Sequence, residues 1–372
     1  MNTIGDGLWN AFLMAYQVWW ALVLGFLISA IVQAWVPRER IEHGMSGSGA
    51  KPVAVATGLG AASSSCSYAA IAIGKSLFQK GASAVSMLAF QFASTNLVWE
   101  LGLILWLLIG WQFTLAEYLG GLVMIVLMAL TLRLFVSKEV EEEARVHAQA
   151  AQADEHQHGT AAATMSWRAR LRSRPAWTGV ADNFRGDWTM LYKEILVGFV
   201  LAGFIALLGD DFFNALFLKD APAPVQTIWG AFIGPVIAVL SFVCSVGNVP
   251  LAAVLWSGGI SFSGVIAFLF ADLIVIPIVI AYRKYYGTRF AMRITALMFV
   301  TMVIAALIVD IVFGTAGLIP TVRPTTSDIF GSIEVDYKLF LNIIGLVIFA
   351  VLFWLTTQRP AVAPMDHHGA HA

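Results

Sequence analysis

Cysteine is scarce in this chain. Only Cys66 and Cys244 occur among 372 residues, too few for a disulfide framework or for the usual four-ligand zinc site. Charge is scarce as well. Asp, Glu, Lys and Arg make up 12% of the chain and nearly cancel, to a formal net charge of −1, which offers nothing to the phosphates of a nucleic acid. The patterns HExxH, GxSxG, GxGxxG and the P-loop do not occur, which argues against an enzyme and against nucleotide-driven pumping within this chain. No cofactor and no metal site is expected.

What the chain does have is apolar length. Hydrophobic residues account for 59% of it, against roughly 45–50% in soluble domains, so it is read as a polytopic membrane protein. A helix needs about 20 apolar residues to cross the hydrocarbon. That criterion selects Leu8–Val36, Ala82–Ile109, Phe113–Val136, Trp188–Leu208, Gly264–Tyr282, Ala291–Gly314 and Tyr337–Thr357. The first run is too long and too rich in tryptophan for a signal peptide and is read as a retained span. Two further apolar stretches are interrupted: Lys51–Lys80 by TGLGAASSS, and Val225–Ser257 by GAFIGP and NVP.

Basic residues orient these segments. Arg145, Arg168, Arg170, Arg172 and Arg174 crowd the polar stretch between the halves, which places it in the cytoplasm. If each interrupted stretch crossed once, Arg38, Arg40, Lys51, Arg283, Lys284, Arg289 and Arg293 would all lie outside. If each instead enters and leaves on one side, all of them fall inside. Two full crossings do not fit, because 30 helical residues reach about 45 Å and two crossings need about 60 Å plus a turn. Re-entrant or broken-helix hairpins are therefore expected, shielded by protein or facing a water-filled cavity. The N-terminus is then outside and the C-terminus cytoplasmic.

Sliding the sequence along itself until Cys66-Ser67 falls on Cys244-Ser245 also pairs Leu77 with Leu255, Gly81 with Gly259, Ser83 with Ser261, and AF-FA at 89–93 with AF-FA at 267–271. No gap is needed. On the topology above, the two copies lie in opposite senses. An inverted repeat with interrupted segments at equivalent positions points to a transport site near the bilayer midplane; a symmetric scaffold without transport is the plainer alternative.

Candidate substrate-path residues follow from the hairpin tips: Ser65, Cys66 and Ser67 in the first, Cys244, Ser245, Asn248 and Pro250 in the second. The thiols admit two readings, soft-ligand binding or small buried hydrophobes. Hydroxyls among small residues allow close helix approach and a polar path. Pro250 frees a carbonyl, and Asn248 supplies donor and acceptor together. Intramembrane carboxylates mark functional sites by default, so Asp272 and Glu100 are the proton-coupling candidates, with Gln91, Ser94 and Asn96 as supporting polar groups; carboxylates held for packing are the alternative. Lys75 is expected to snorkel from a hairpin end, and Glu117 and Asp310 to sit at interfaces. Histidines in DEHQHG and MDHHGAHA are either weak metal tracts or solvated linker and tail.

The segments CSVGNVPLAAVLWSGGISFSGVIAFLFADLIVIPIV and CSYAAIAIGKSLFQKGASAVSMLAFQFASTNLV resemble the predicted permease family that includes the ArsP organoarsenical exporters, over about residues 8–357. The resemblance implies an inner-membrane permease and, for the ArsP branch, efflux of trivalent organoarsenicals such as methylarsenite. Many members carry Cys-Ser-Cys triplets; here Tyr68 and Val246 take the third position, so neither hairpin holds two thiols.

The expected architecture is an all-α polytopic protein of two inverted repeats with a C-terminal span added. Residues 1–136 form the first repeat, 137–187 a cytoplasmic polar linker, 188–314 the second repeat, and 315–372 an extracytoplasmic loop, the last span and a histidine-containing cytoplasmic tail. The expected function is secondary-active efflux of a small solute. A permease for another small anion or neutral solute, a membrane enzyme and a partner subunit are the alternatives. The expected partners are a small-molecule substrate and the lipid bilayer, with homo-oligomer formation left open.

Overall fold

Hydrocarbon offers no water to backbone N–H and C=O groups, so apolar runs must satisfy them internally as helix. The computed structural model describes residues 3–35, 49–63, 67–79, 81–150, 173–241, 245–325, 329, 332–333 and 335–357, and they contain helix and no strand. In the first half, α1 is Thr3–Trp35, α2 Ala50–Ser63, α3 Ser67–Gln79, α4 Ala84–Asn96, α5 Trp99–Leu108 and α6 Trp111–Phe135. A polar helix, α7 (Lys138–Ala150), follows. The second half comprises α8 (Arg174–Ile205), a short α9 (Asp210–Phe217), α10 (Ala223–Ser241), α11 (Ser245–Ser257), α12 (Phe262–Phe270) with a 3-10 turn over Ala271–Ile274, α13 (Ile276–Tyr286) and α14 (Thr288–Thr315). The last helix is α15 (Tyr337–Thr357).

By length and composition, six segments among the described residues can cross a membrane: Ile4–Ile28, Ala84–Leu108, Trp111–Phe135, Ala223–Ser241, Thr288–Thr315 and Tyr337–Thr357. A seventh is the pair Phe262–Ile274 and Ile276–Tyr286, bent by 40°. This differs from the sequence expectation in two places. Trp188–Leu208 is not a separate element but the later part of the 32-residue α8, which begins inside the segment expected to be linker. And Ala223–Ser241, expected as one arm of a hairpin, is 19 residues long and apolar enough to span.

The hairpin itself is visible in the contacts. A Cβ on Gly230 would meet Ser261 and Gly264, and one on Gly234 would meet Gly264 and Phe268, so α10 and α12 run side by side in the same direction. Ser245, at the head of α11, bonds to Asp272 just past the end of α12. Helix α11 therefore runs back in the opposite direction, and the chain goes up, down and up again. In the first half Gly60 of α2 abuts Phe90 and Ala93 of α4 in the same way.

The offset that carries Cys66 onto Cys244 extends into the fold. It superimposes both ends of α3 on those of α11, and both ends of α4 on those of the α12 segment with its 3-10 turn. Gly81 and Gly259 turn the chain with φ of 101° and 104°, a region glycine enters without penalty. Ser83 and Ser261 then cap the next helices, each hydroxyl accepting from the backbone N–H three residues on at 3.1 Å. A carboxylate tops each cap: Glu141 accepts from Ala84 N at 2.8 Å, and Asp310 from Ser263 N at 3.1 Å.

Two arginines carry the correspondence furthest. Arg145 donates to the carbonyls of Phe78 and Ala82, and Arg323 to those of Trp256 and Ile260 at 2.6 and 2.7 Å. The same offset relates each arginine and each carbonyl to its counterpart. Each guanidinium closes the carbonyl end of a hairpin helix, where helices leave acceptors unmatched, and stacks on the ring there, Phe78 at 4.3 Å and Trp256 at 3.8 Å. Burial pushes the Arg323 guanidinium down to about 10, which leaves it charged at neutral pH.

Packing follows the same plan. In each half the first hairpin arm and the second arm both lie on the helix that follows, and the two pieces of the broken helix lie on α6 or α14. The halves join where α1 meets α8, α6 meets α14 and α5 meets α11. Part of the expected linker belongs to this body. Val140, Ala144 and Ala148 are buried at the four-residue spacing of one helix face, and α7 lies against α3 and α13. Finally, α15 docks on α1 through Asn342, which donates to Tyr16 O at 2.9 Å and accepts from Trp20 N at 3.0 Å. The side-chain amide takes the place of an α1 backbone hydrogen bond, the kind of insertion that bends a helix.

Candidate functional site

Helices α4 and α12 both stop short. Leu97 and Val98 separate α4 from α5, and Val275, with φ −62° and ψ 149°, separates the 3-10 turn from α13. Helix α6 fixes the start of α5: Tyr118 donates to Val98 O at 3.1 Å, an oxygen that Gly102 N also meets at 3.3 Å, and Thr114 donates to Gly102 O at 2.9 Å. The sequence reading took each of these helices as continuous; Leu97 and Val98 give no turn signal, whereas Pro277, in the first turn of α13, was the available signal for the second break.

Beside the second break stands Asp272, fully buried. Ser67 donates to its Oδ2 at 3.0 Å, and Ser245 donates to the same oxygen. The two hydroxyl oxygens are 3.3 Å apart. Residues from equivalent positions of the two halves thus converge on one carboxylate. Both serines open helices, α3 and α11, so the positive ends of two helix dipoles are turned toward the acid. Thr95 of α4 completes the near shell, while Asp272 Oδ1 has no hydrogen-bond partner.

The other expected residues take several places. Asn248 lies one turn beyond Ser245 on α11, fully buried, with neither amide atom hydrogen-bonded. Pro250 sits inside α11 and cannot return a hydrogen bond to the carbonyl of Val246. Gln91 accepts from Tyr282 at 3.0 Å, and its Nε2 has no partner. Ser94 donates to Gln91 O at 3.0 Å, and Asn96 donates to Phe92 O at 3.2 Å, so these two mainly serve the end of α4. Glu100 is buried on the first turn of α5, against Gly25 of α1, with Asp187 of α8 within electrostatic reach. Ser65, Cys66 and Cys244 lie outside the described residues, as do the histidines of DEHQHG and of the tail. Among the described residues no group of three or more His, Cys, Asp and Glu could hold a metal ion.

Two expectations are corrected here. Lys75 does not snorkel: it is buried, with its ammonium 4.6 Å from the centre of the Tyr285 ring. Glu117 is not interfacial. It is fully buried on the face of α6 that carries Ala116, Gly120 and Gly121, where Phe270, Asn96 and Leu97 pack closely. Both of its oxygens lack hydrogen-bond partners, and Asp272 is the acidic group within its electrostatic reach. The adjacent glycines were the available signal that this face of α6 is packed against other helices.

Comparison with known proteins gives the chain a family. The ArsP_1 family, described as predicted permease, matches residues 10–311. A Mycobacterium tuberculosis (strain ATCC 25618 / H37Rv) protein whose name calls it a permease, Rv2963, is 46% identical over 310 residues, covering 81% of this chain and 75% of that one. No solved structure matches. With apolar helices enough for several crossings and a family match over most of its length, the chain is a multi-pass membrane protein belonging to the ArsP_1 family of predicted permeases.

Proposed function

We propose that this permease is a secondary-active exporter of the inner membrane, moving a small solute between the two hairpin tips by alternating access. Trivalent organoarsenicals such as methylarsenite are the leading substrate class, and a proton on Asp272 is the coupling ion. The observation that carries the reading is the convergence of Ser67 and Ser245 on Asp272. A polar, fully buried junction made by equivalent residues of two repeats is where a transporter built from inverted halves places its site, and a carboxylate at that depth is costly unless it works. Cys66 and Cys244 precede the two serines in sequence and would add soft ligands to the same place.

A second reading, transport of another small anion or neutral solute, is favoured by Asn248, whose buried amide has donor and acceptor both unmet. Such an amide suits an oxygen-bearing solute better than a soft metalloid.

The test is expression in an arsenical-sensitive host challenged with methylarsenite, followed by uptake into everted vesicles with and without an imposed pH gradient. Wild type should confer resistance and accumulate methylarsenite in a gradient-dependent way. Asp272→Asn should cut transport about ten-fold or more, given that charged hydrogen bonds are worth about 1.5–3 kcal/mol. Unchanged resistance in Cys66→Ser/Cys244→Ser would remove the thiol role and favour the second reading.

A further inference from the structure

The buried carboxylates do not all belong to the serine junction. Glu117 has 0% of its surface exposed, and neither oxygen meets a donor. An ionised carboxylate in that setting has neither hydrogen bonds nor a counter-ion, and must take up a proton or a cation. The acid that shares its field is Asp272, whose own Oδ1 is also unpartnered. Geometry explains the proximity. Gly120 of α6 abuts Phe270, two residues before Asp272, and Gly121 abuts Leu97 and Asn96 beside the first helix break, so one turn of α6 is clamped between the two breaks.

We propose that Glu117 and Asp272 form a paired carboxylate site that binds exchangeable protons, with Glu117 as the second proton carrier of the permease. This rests on the permease reading and adds a residue to it. Each group takes one proton on a carboxylate oxygen, becoming a neutral acid, and releases it when the site opens to the other side; no electrons move and no covalent bond to a solute forms. The surroundings suit that role. The described helices α4, α5 and α12 contain no lysine or arginine. The titratable groups on elements around Glu117 are Asp272, Glu100 on α5, Tyr118 on α6 itself, and Asp310 on α14. Asp310 is already bonded to Ser263 N, and Glu100 faces α1. Arg133 lies at the far end of α6. Arg289 and Arg293 sit at the far end of α14, about 24 Å or more from the Val309 that contacts Gly120 at 1.5 Å per residue. On the elements that meet Asp272, Lys75 of α3 has its ammonium on the Tyr285 ring and Tyr282 of α13 lies within electrostatic reach; two like charges held together oppose each other, and their titrations belong to the pair.

The experiment is infrared difference spectroscopy of the full chain in liposomes, titrated from acid to alkaline pH in H2O and D2O. Carboxylic-acid carbonyl bands should lose one component in Glu117→Gln and a different one in Asp272→Asn. In each variant the midpoint of the remaining component should move by about one pH unit or more. Glu117→Asp should keep both components, which separates loss of the acid from loss of the fold. A Glu117→Gln spectrum identical to wild type, or one in which the Asp272 component stays where it was, would overturn the proposal. The readout needs no transported solute, so failure of the organoarsenical assay leaves it in force.

Discussion

At the scale of single residues, the molecule is organised around one oxygen. Ser67 and Ser245 both donate to Asp272 Oδ2, so removing either leaves the other to compensate. Ser67→Ala and Ser245→Ala are each expected to cost about 1.5–3 kcal/mol, the range for a hydrogen bond to a charged group. The double variant should cost more than their sum, because only it leaves the shared oxygen without a serine donor. Thermal unfolding of detergent-solubilised protein, run as a double-mutant cycle with Asp272→Asn as background, measures this. Additive losses in both backgrounds would mean that the serines act independently of the carboxylate. Repetition made the serines legible in the sequence, whereas Glu117 was misplaced because its position along α6 resembles an interface. Only the packing of Phe270, Asn96 and Leu97 on that face shows that it is buried.

At the scale of elements, the decisive feature is close parallel packing of α2 on α4 and of α10 on α12. Lipid tails are as apolar as leucine, so small residues that let backbones approach hold such pairs together. A Cβ on Gly60 would collide with the carbonyl oxygen of Phe90, and one on Gly234 with that of Gly264, whereas one on Gly58 meets nothing within 4 Å. Gly60→Ala and Gly234→Ala should each lose about 1–3 kcal/mol through forced separation. Gly58→Ala, in the same helix as Gly60, should be neutral. The fraction of monodisperse protein after heating gives the comparison, and equal losses for Gly58 and Gly60 would reject this account. The hairpins were legible because glycine, serine and proline mark them, although GAFIGP and NVP, expected as the interruptions of the second, lie inside α10 and α11. The break at Leu97–Val98 was not, since those residues sit equally well in a helix and the start of α5 is held by Thr114 and Tyr118 from another element; the break at Val275 had a signal in Pro277, in the first turn of α13. Helix α7 was read as solvated because its composition is charged; its narrow Val140, Ala144, Ala148 stripe finds a partner only once α3 and α13 are side by side.

At the scale of the whole molecule, the question is how the two halves are oriented across the bilayer. The charge distribution argues for opposite senses, and equivalent arginines, caps and glycine turns recur at one constant offset. An epitope inserted in residues 151–172 should be reachable only from the cytoplasm, and one inserted in Gly209–Pro224 only from outside. Accessibility to protease in intact cells against everted vesicles reads this out. Both tags on one side would make the halves parallel and remove the basis for a midplane site.

The sequence alone determined that the chain lives in a bilayer, that it is built twice, and that each copy holds an interrupted hairpin. Those properties depend on composition and on order along the chain, which hydrocarbon and the backbone's need for hydrogen bonds translate directly into helices and breaks. The tertiary structure decided which polar groups meet. Ser67, Ser245 and Asp272 come from α3, α11 and the 3-10 turn, and a distance between side chains on different elements is set by packing, which leaves no mark in the spacing of residues.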